Sequence, residues 1–286
     1  MIGPGLLVRT MSVPRKIGRF PLPLAYHSRS DQHSKVACWG VLVDLLSSTP
    51  LLREQVAAGK IGFGINHTIT DFQQNRRKAL DLVVCTPNSS GSSSHSPRSF
   101  ASLADHYKMD LGPEERAVLD ALPALTETPV GSLLIALEAK ACMTAHRKAA
   151  PRLYDELNSS HQIVHGSTSQ ALAVGLVMVN IAVSFVSPDS NEHLIKVPEA
   201  EVTISRHDQP RDADLVISKV EHLPRRSRTS QEGFDGLAVL VVDCDNQGSP
   251  VTLHEGPPAP SAASPFHYDA MIHRIAGEYS TRFQGL

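Results

Sequence analysis

The chain has 286 residues, of which 41% are apolar and only 5% aromatic, so it is long enough for one large domain with an aliphatic core. Its formal net charge of −2 excludes a global basic field, and any nucleic-acid site must therefore be a local patch. Its four cysteines form no CxxC pair, which argues against a zinc ribbon and suits a reducing cytoplasm.

The N-terminal part of the chain is predicted to differ from the rest. Residues 1–33 are rich in Pro, Gly, Arg and Ser, which indicates a flexible arm, and residues 34–286 are expected to form a single α/β domain. Apolar residues recur at helical spacing over residues 33–46, which predicts an amphipathic helix. A second short helix should begin at the proline of residues 50–58.

Two strands are predicted next. Residues 61–69 alternate between the two faces of a strand, and residues 79–85 form an apolar run whose only charge is Asp81. The serine-rich segment 88–99 is predicted to be a surface loop. Residues 100–122 are then expected to be helical.

The run 131–140, GSLLIALEAK, predicts a strand that is buried on both faces and ends in a polar pair. Because side chains two residues apart in a strand point the same way, Glu138 and Lys140 should leave the sheet together. A polar helix is expected over residues 141–158, where Pro151 should kink it or split it.

The remainder of the chain predicts more strands and a last helix. Strands are expected at 174–186, 200–205, 215–220 and 237–243, and an amphipathic helix at 267–283. This order predicts an α/β protein with a central mixed β-sheet flanked by helices on both faces. Its longest apolar run is short for a membrane span, so we expect a cytoplasmic protein without membrane association.

Asp81 and Glu138 are isolated acids in apolar strands. A buried carboxylate is costly unless it is paired, hydrogen-bonded or bound to a cation. If the two strands are neighbours, both carboxylates, with Lys140 beside them, would bind a hard cation such as Mg²⁺ through oxygen. The metal would polarise a phosphodiester and activate water, and Lys140 would position that water or stabilise the developing charge.

These residues resemble the PD-(D/E)xK, or restriction-endonuclease-like, nuclease superfamily. Asp81 stands for the family's first acid, and Glu138-Ala139-Lys140 stands for its E-x-K, after an amphipathic first helix. The resemblance covers roughly residues 34–186, with residues 237–283 completing the fold. It implies a restriction-endonuclease-like core and Mg²⁺-dependent (or Mn²⁺-dependent) hydrolysis of DNA, less often RNA, in restriction, phage defence or repair.

The chain departs from the family pattern at two places. Leu80 stands where the family often has Pro, and residues 82–137 separate the two acids where a short hairpin is usual. The helix and loop between the acids would then be an insertion. If they are not, the first acid would be another residue, such as Asp120 or Glu127.

Several basic residues are candidate nucleic-acid contacts, although a charge run is also typical of a solvated face. These candidates are Arg76, Arg77, Lys78, Lys148 and Arg152, together with the loop residues Arg225, Arg226 and Arg228. His161 and His165 are four apart and would share a helical face that could bind metal, but no HExxH motif accompanies them.

The sequence leaves other functions open. A catalytically inactive nucleic-acid-binding or assembly protein with a nuclease-like fold is the main alternative, and a hydrolase that uses His and Asp is a third. For a nuclease that cuts both strands of DNA, a homodimer is expected, because two strands need two active sites.

Overall fold

The computed structural model describes residues 1–71, 74–88 and 97–286. Most of the predicted serine-rich loop, residues 89–96, lies outside the described residues. The strands of the described part are β1 Gly62–Asp71, β2 Arg76–Pro87, β3 Val130–Cys142, β4 Leu172–Asn180, β5 Ser184–Phe185, β6 Ser205–Arg206, β7 Gly236–Asp243 and β8 Thr252–Leu253. The helices are α1 Gly3–Met11, α2 Gln32–Ser48, α3 Pro50–Ala57, α4 Ser102–His106, α5 Pro113–Ala121, α6 His146–Ser167, α7 Arg211–Glu221 and α8 Tyr268–Arg282.

The main sheet has six strands in the order β1-β2-β3-β4-β7-β8. The first three strands form an antiparallel meander, β4 and β7 run parallel to β3, and β8 closes the far edge in the antiparallel direction. The parallel step from β3 to β4 needs a crossover, and α6 supplies it. The predicted α/β fold with a central mixed sheet is therefore confirmed.

Helices cover both faces of this sheet. The face that we call the α2 face packs against α1, α2 and α8, and its core includes Trp39 and Tyr279. The opposite face, the α6 face, packs against α6 and α7 through residues such as Leu157 and Val216. Every residue of β4 is buried, because this strand lies in the middle of the sheet between the two layers.

The helices with a clear apolar stripe lie where the sequence predicts them. α2 and α3 are confirmed as helices, but α2 is not amphipathic, because all of its residues from 34 to 46 are buried. Pro50 begins α3 as expected of a proline in a first turn. α8 buries the predicted stripe of Tyr268, Met271, Ile272, Ile275 and Tyr279.

The prediction of a flexible arm is wrong for the first residues of the chain. Residues 3–11 form α1, whose Leu6 and Leu7 are buried against α2. The buried carboxylate of Asp44 accepts hydrogen bonds from the backbone N–H groups of Ile2 and Gly3, which are orphan donors at the start of α1. The Pro- and Gly-rich composition of this segment hid a helix that depends on tertiary contacts.

Several other predictions need correction. The strand predicted at 174–186 is two strands, β4 and β5, and only Ser205 of the strand predicted at 200–205 lies in a strand, β6. Residues 215–220 belong to α7 and do not form a strand, because buried residues recur there at helical spacing. The predicted helix at 100–122 is two short helices, α4 and α5. α6 is not split at Pro151 and runs on to Ser167, since a proline in its second turn removes only one backbone hydrogen bond near the helix start.

Within the described ranges, no single helix has both the length and the apolar composition needed to cross a membrane. Only α2 and α3 taken together reach that composition, and they meet at a bend of 98°.

Candidate functional site

Asp81 lies where β2 parts from β3. The last paired residues of the two strands on this side are Leu82 and Leu137, so Asp81 is one residue beyond the ladder. Its Oδ2 atom accepts a hydrogen bond from the backbone N–H of Ala139 at 3.0 Å. The Asp81 carboxylate therefore accepts a hydrogen bond that a backbone carbonyl would accept in a continuous strand pair. It thereby contacts the E-x-K segment directly.

β2 and β3 are neighbours in the sheet, so the long segment between the two acids connects two adjacent strands. Neither alternative first acid contacts the site: Asp120 is exposed on α5, and Glu127 is paired with Arg98 at 2.8 Å.

Glu138 is buried, with 4% of its side chain exposed. Its Oε1 atom forms ion pairs with two lysines, with Nζ of Lys140 at 2.8 Å and with Nζ of Lys78 at 3.2 Å. The contact with Lys140 confirms that these two side chains leave β3 on the same side. Among the described residues, no donor reaches the other oxygen, Oε2, although it is buried.

A third lysine completes the site. Lys35, in the first turn of α2, is 3% exposed and places its Nζ atom 2.7 Å from Oδ1 of Asp81. The Ser34 hydroxyl donates to the same oxygen at 3.0 Å. Sequence reasoning missed Lys35, although a signal was present: it and Asp44 are the only charges in the apolar helix over residues 34–46.

We call Lys35, Lys78, Asp81, Glu138 and Lys140 the lysine–carboxylate cluster. It contains three ammonium groups and two carboxylates, so it carries a net positive charge when all are ionised. Such a balance attracts an anion, and phosphate is an anion that a lysine cluster binds well.

Neighbouring charges and hydrogen bonds favour the ionised forms of Asp81 and Lys140. Burial raises the pKa of Asp81, but Lys35 and the Ala139 N–H outweigh it, so this pKa lies below its usual value. Burial lowers the pKa of Lys140, but Glu138 and then Asp81 outweigh it, so this pKa lies above its usual value. Lys140 is therefore protonated near neutral pH and can donate a hydrogen bond but cannot act as a base.

The two carboxylates approach the strand opening from different faces of the sheet. Leu137 and Ala139 pack into the core of the α2 face, so the residue between them, Glu138, projects towards the α6 face. Asp81 instead contacts Ser34 and Lys35 of α2. The carboxylates of Asp81 and Glu138 therefore point into opposite layers of the fold, beside the opening where β2 and β3 separate.

The predicted nucleic-acid contacts fall into two groups. Lys78 belongs to the cluster, whereas Arg77 and Lys148 are exposed outside it. Arg152 is also exposed and pairs with Glu156 on the same helix at 2.7 Å. Arg76 lies 3.9 Å from Asp71 in a weak ion pair.

Arg226 is not available to a phosphate, which corrects the prediction for this residue. Its side chain is fully buried and pairs with Asp235 at 2.9 Å. The neighbouring Arg225 lies over the ring of Phe266, 4.4 Å from its centroid.

The structure also tests the histidine pair of α6. The Nε2 atom of His161 bonds to Asn158 and that of His165 bonds to the Gly233 carbonyl, so both are engaged within the protein. In the ranges that the structure describes, no group of three or more His, Cys, Asp or Glu side chains is arranged to hold a metal.

A cleft of about 360 Å³ opens beside the end of β3. Its lining includes Cys142, the start of α6 through Arg152 and Glu156, and Asp189 from the opposite loop. Ala141, the residue that follows Lys140 in β3, also lines the cleft. None of the five residues of the lysine–carboxylate cluster is among those that line the cleft.

Comparisons with family models, with curated proteins and with solved structures each found no match for this chain.

Proposed function

We propose that this protein is a metal-dependent nuclease with a restriction-endonuclease-like core, which hydrolyses phosphodiester bonds in DNA. The observation that carries the proposal is the hydrogen bond from the Ala139 N–H to Asp81, because it joins the first acid to the E-x-K strand. The order of an N-terminal helix, an antiparallel meander, a crossover helix and a parallel strand supports the same core.

The donor set fits a hard cation. Asp81 and Glu138 are oxygen donors of the kind that Mg²⁺ and Mn²⁺ take, and the buried Oε2 of Glu138 is without a partner in the described protein. These two residues would hold the metal. When bound, the metal supplies a Lewis acid for the phosphoryl oxygen and lowers the pKa of its water.

The remaining residues act on the substrate. The Lys140 ammonium is held protonated beside Glu138, so it positions water or stabilises negative charge that develops on phosphorus. Lys78, on the other side of Glu138, adds a second positive charge to the same place. The exposed Arg77, Lys148 and Arg152 would contact backbone phosphates further along a bound strand.

A second function, nucleic-acid binding without catalysis, is favoured by one observation. Protein donors already engage three of the four carboxylate oxygens, and the two acids approach from different faces. In that case the net positive cluster would hold a phosphate and no metal.

The two functions separate in one experiment. We expect plasmid and single-stranded DNA to be cut with Mg²⁺ or Mn²⁺ and not with EDTA. Lys140→Ala should lower the cleavage rate by about 100-fold or more, because it removes a preorganised positive charge. The matched control Lys196→Ala, at an exposed lysine outside the cluster, should leave the rate unchanged.

Binding of DNA with no metal-dependent cutting would support the second function instead. Equal cleavage by wild type and Lys140→Ala would reject the assigned catalytic role.

For a duplex substrate we propose a homodimer, since each subunit carries one candidate site. We also propose a cytoplasmic location and a role in restriction or phage defence. The four cysteines are free and buried, which suits a reducing compartment.

A further inference from the structure

Protein oxygens surround the Lys35 ammonium as they would surround a bound metal ion. Its Nζ atom lies 2.7 Å from Oδ1 of Asp81, 3.3 Å from the Asp81 carbonyl oxygen and 2.5 Å from Oδ1 of Asn66. An ammonium has three N–H donors, so these three oxygens satisfy it completely. With only 3% of its side chain exposed, the charge is compensated by the protein and not by water.

The backbone of β1 contributes to this cradle. Asn66 has a φ of 51°, a left-handed conformation within a strand. Asn tolerates this conformation better than most residues, and there its amide oxygen reaches Lys35. The cradle is thus formed by two neighbouring strands, β1 and β2, around the end of a helix side chain.

We propose that Lys35 is a resident counter-cation of Asp81 that a divalent metal must displace, so that Lys35 sets the metal affinity of the site. This inference rests on the proposed function, because it takes Asp81 as a metal ligand. Two cations that share one carboxylate repel each other, and the repulsion is strong where burial limits screening by water. Lys35 therefore weakens metal binding and keeps the metal-free site neutral at Asp81.

The proposal separates Lys35 from the other two lysines. Lys78 and Lys140 contact Glu138, whose second oxygen stays available to a metal. Lys35 instead contacts Oδ1 of Asp81, the carboxylate oxygen that faces α2. It also donates a hydrogen bond to the Asp81 carbonyl oxygen. Removing Lys35 should release the Asp81 carbonyl oxygen and leave Oδ1 of Asp81 with the Ser34 hydroxyl alone.

The test is Mn²⁺ binding by titration calorimetry in the absence of nucleic acid. Lys35→Gln removes the charge and should lower the dissociation constant for Mn²⁺ by about tenfold or more. Asn66→Gly removes one oxygen of the cradle while tolerating the left-handed backbone, and it should lower the dissociation constant by a few fold. Asn66→Gly leaves Asp81 and Lys35 in place, so it remains informative if Lys35→Gln does not fold.

The outcomes are distinct. Tighter Mn²⁺ binding by either folded variant supports the inference. Unchanged or weaker binding in both overturns it and leaves the proposed function intact, provided that wild type binds Mn²⁺ and Asp81→Asn does not. If no variant and no wild-type protein binds Mn²⁺, or if Asp81→Asn still binds it, the metal assignment itself fails and the inference fails with it.

Discussion

At the scale of single residues, Asp235 shows how this protein compensates a buried charge. Its Oδ1 accepts hydrogen bonds from Arg226 at 2.9 Å and from Arg282 at 2.8 Å. Its Oδ2 accepts one from the backbone N–H of Ala173 at 2.8 Å. Since Arg226 is equally buried, each of these charges depends on the other for compensation.

Asp235→Ala should therefore be strongly destabilising. It leaves the Arg226 guanidinium buried without its counter-ion, and breaking such a pair costs about 3–5 kcal/mol. Urea unfolding, followed by the fluorescence of the buried Trp39, would measure the free energy of unfolding. The control Asp214→Ala, at an exposed position on α7, should change it by less than about 0.5 kcal/mol, and an equal loss in both variants would contradict the argument.

Buried charged residues show how far the role of a single residue can be predicted from the sequence. Asp81, Glu138 and Lys140 stand out in the sequence because each is a charge in or beside an apolar strand. Arg226 does not stand out, because it lies in a basic loop and its partner is known only from the structure. A charge in an apolar run can be recognised from the sequence, but the partner that compensates it cannot.

At the scale of elements, α6 contains a pH-sensitive pair. Burial, more than any other cause, lowers the pKa of His161 and of His165 from 6.5 to about 4. The unfolded chain therefore takes up protons near pH 6.5, and the folded chain only near pH 4. The stability that these neutral histidines allow is fully present above pH 6.5 and is lost as the pH falls towards 4.

We expect the free energy of unfolding to fall between pH 6.5 and pH 4. Each unit of difference between the folded and unfolded pKa is worth about 1.4 kcal/mol for each histidine. His165→Gln should reduce this pH dependence, whereas His273→Gln, at an exposed position on α8, should not. Urea unfolding at several pH values measures it, and parallel curves for all three proteins would show that the α6 histidines are not responsible.

Elements differ in how far the sequence predicts them. α8 follows from its apolar residues at helical spacing, because one face must be buried, whereas α2 is a helix as predicted but is buried on every side over residues 34–46. The short apolar run at 215–220 is by itself compatible with a strand or a helix, and the helical spacing appears only when Ala213 is included with the residues that pack against α6. Short runs are therefore the ones that the sequence leaves ambiguous.

At the scale of the whole molecule, the layered α/β architecture follows from the sequence better than the site does. Buried strands alternating with polar or amphipathic helices predict helices on both faces of a mixed sheet, and the six-stranded sheet confirms this. β2 and β3 pair despite the long segment between them, because loop closure costs little extra for a longer loop, although their register shifts on both sides of Cys85. The sheet faces towards which Asp81 and Glu138 point depend on the irregular end of the β2–β3 pairing. The alternation of side chains in a regular strand does not predict this end.

The N-terminal helix is the element whose contribution is easiest to underestimate. Leu6, Leu7 and Met11 are each at most 4% exposed, and they pack in the same core as α2 and α8. Each buried aliphatic side chain contributes about 1.5–3 kcal/mol. Their sum is comparable to the entire stability of a typical domain, which is about 5–15 kcal/mol.

Deletion of residues 1–11 should therefore abolish cooperative unfolding or lower the urea midpoint sharply. The deletion uncovers apolar surface on α2 and removes the two N–H donors that Asp44 accepts from. Val13→Ser, at a side chain that is 49% exposed, is the matched control and should leave the midpoint unchanged. If the deleted protein unfolded at the wild-type midpoint, α1 would be an appendage and the folding unit would begin at α2.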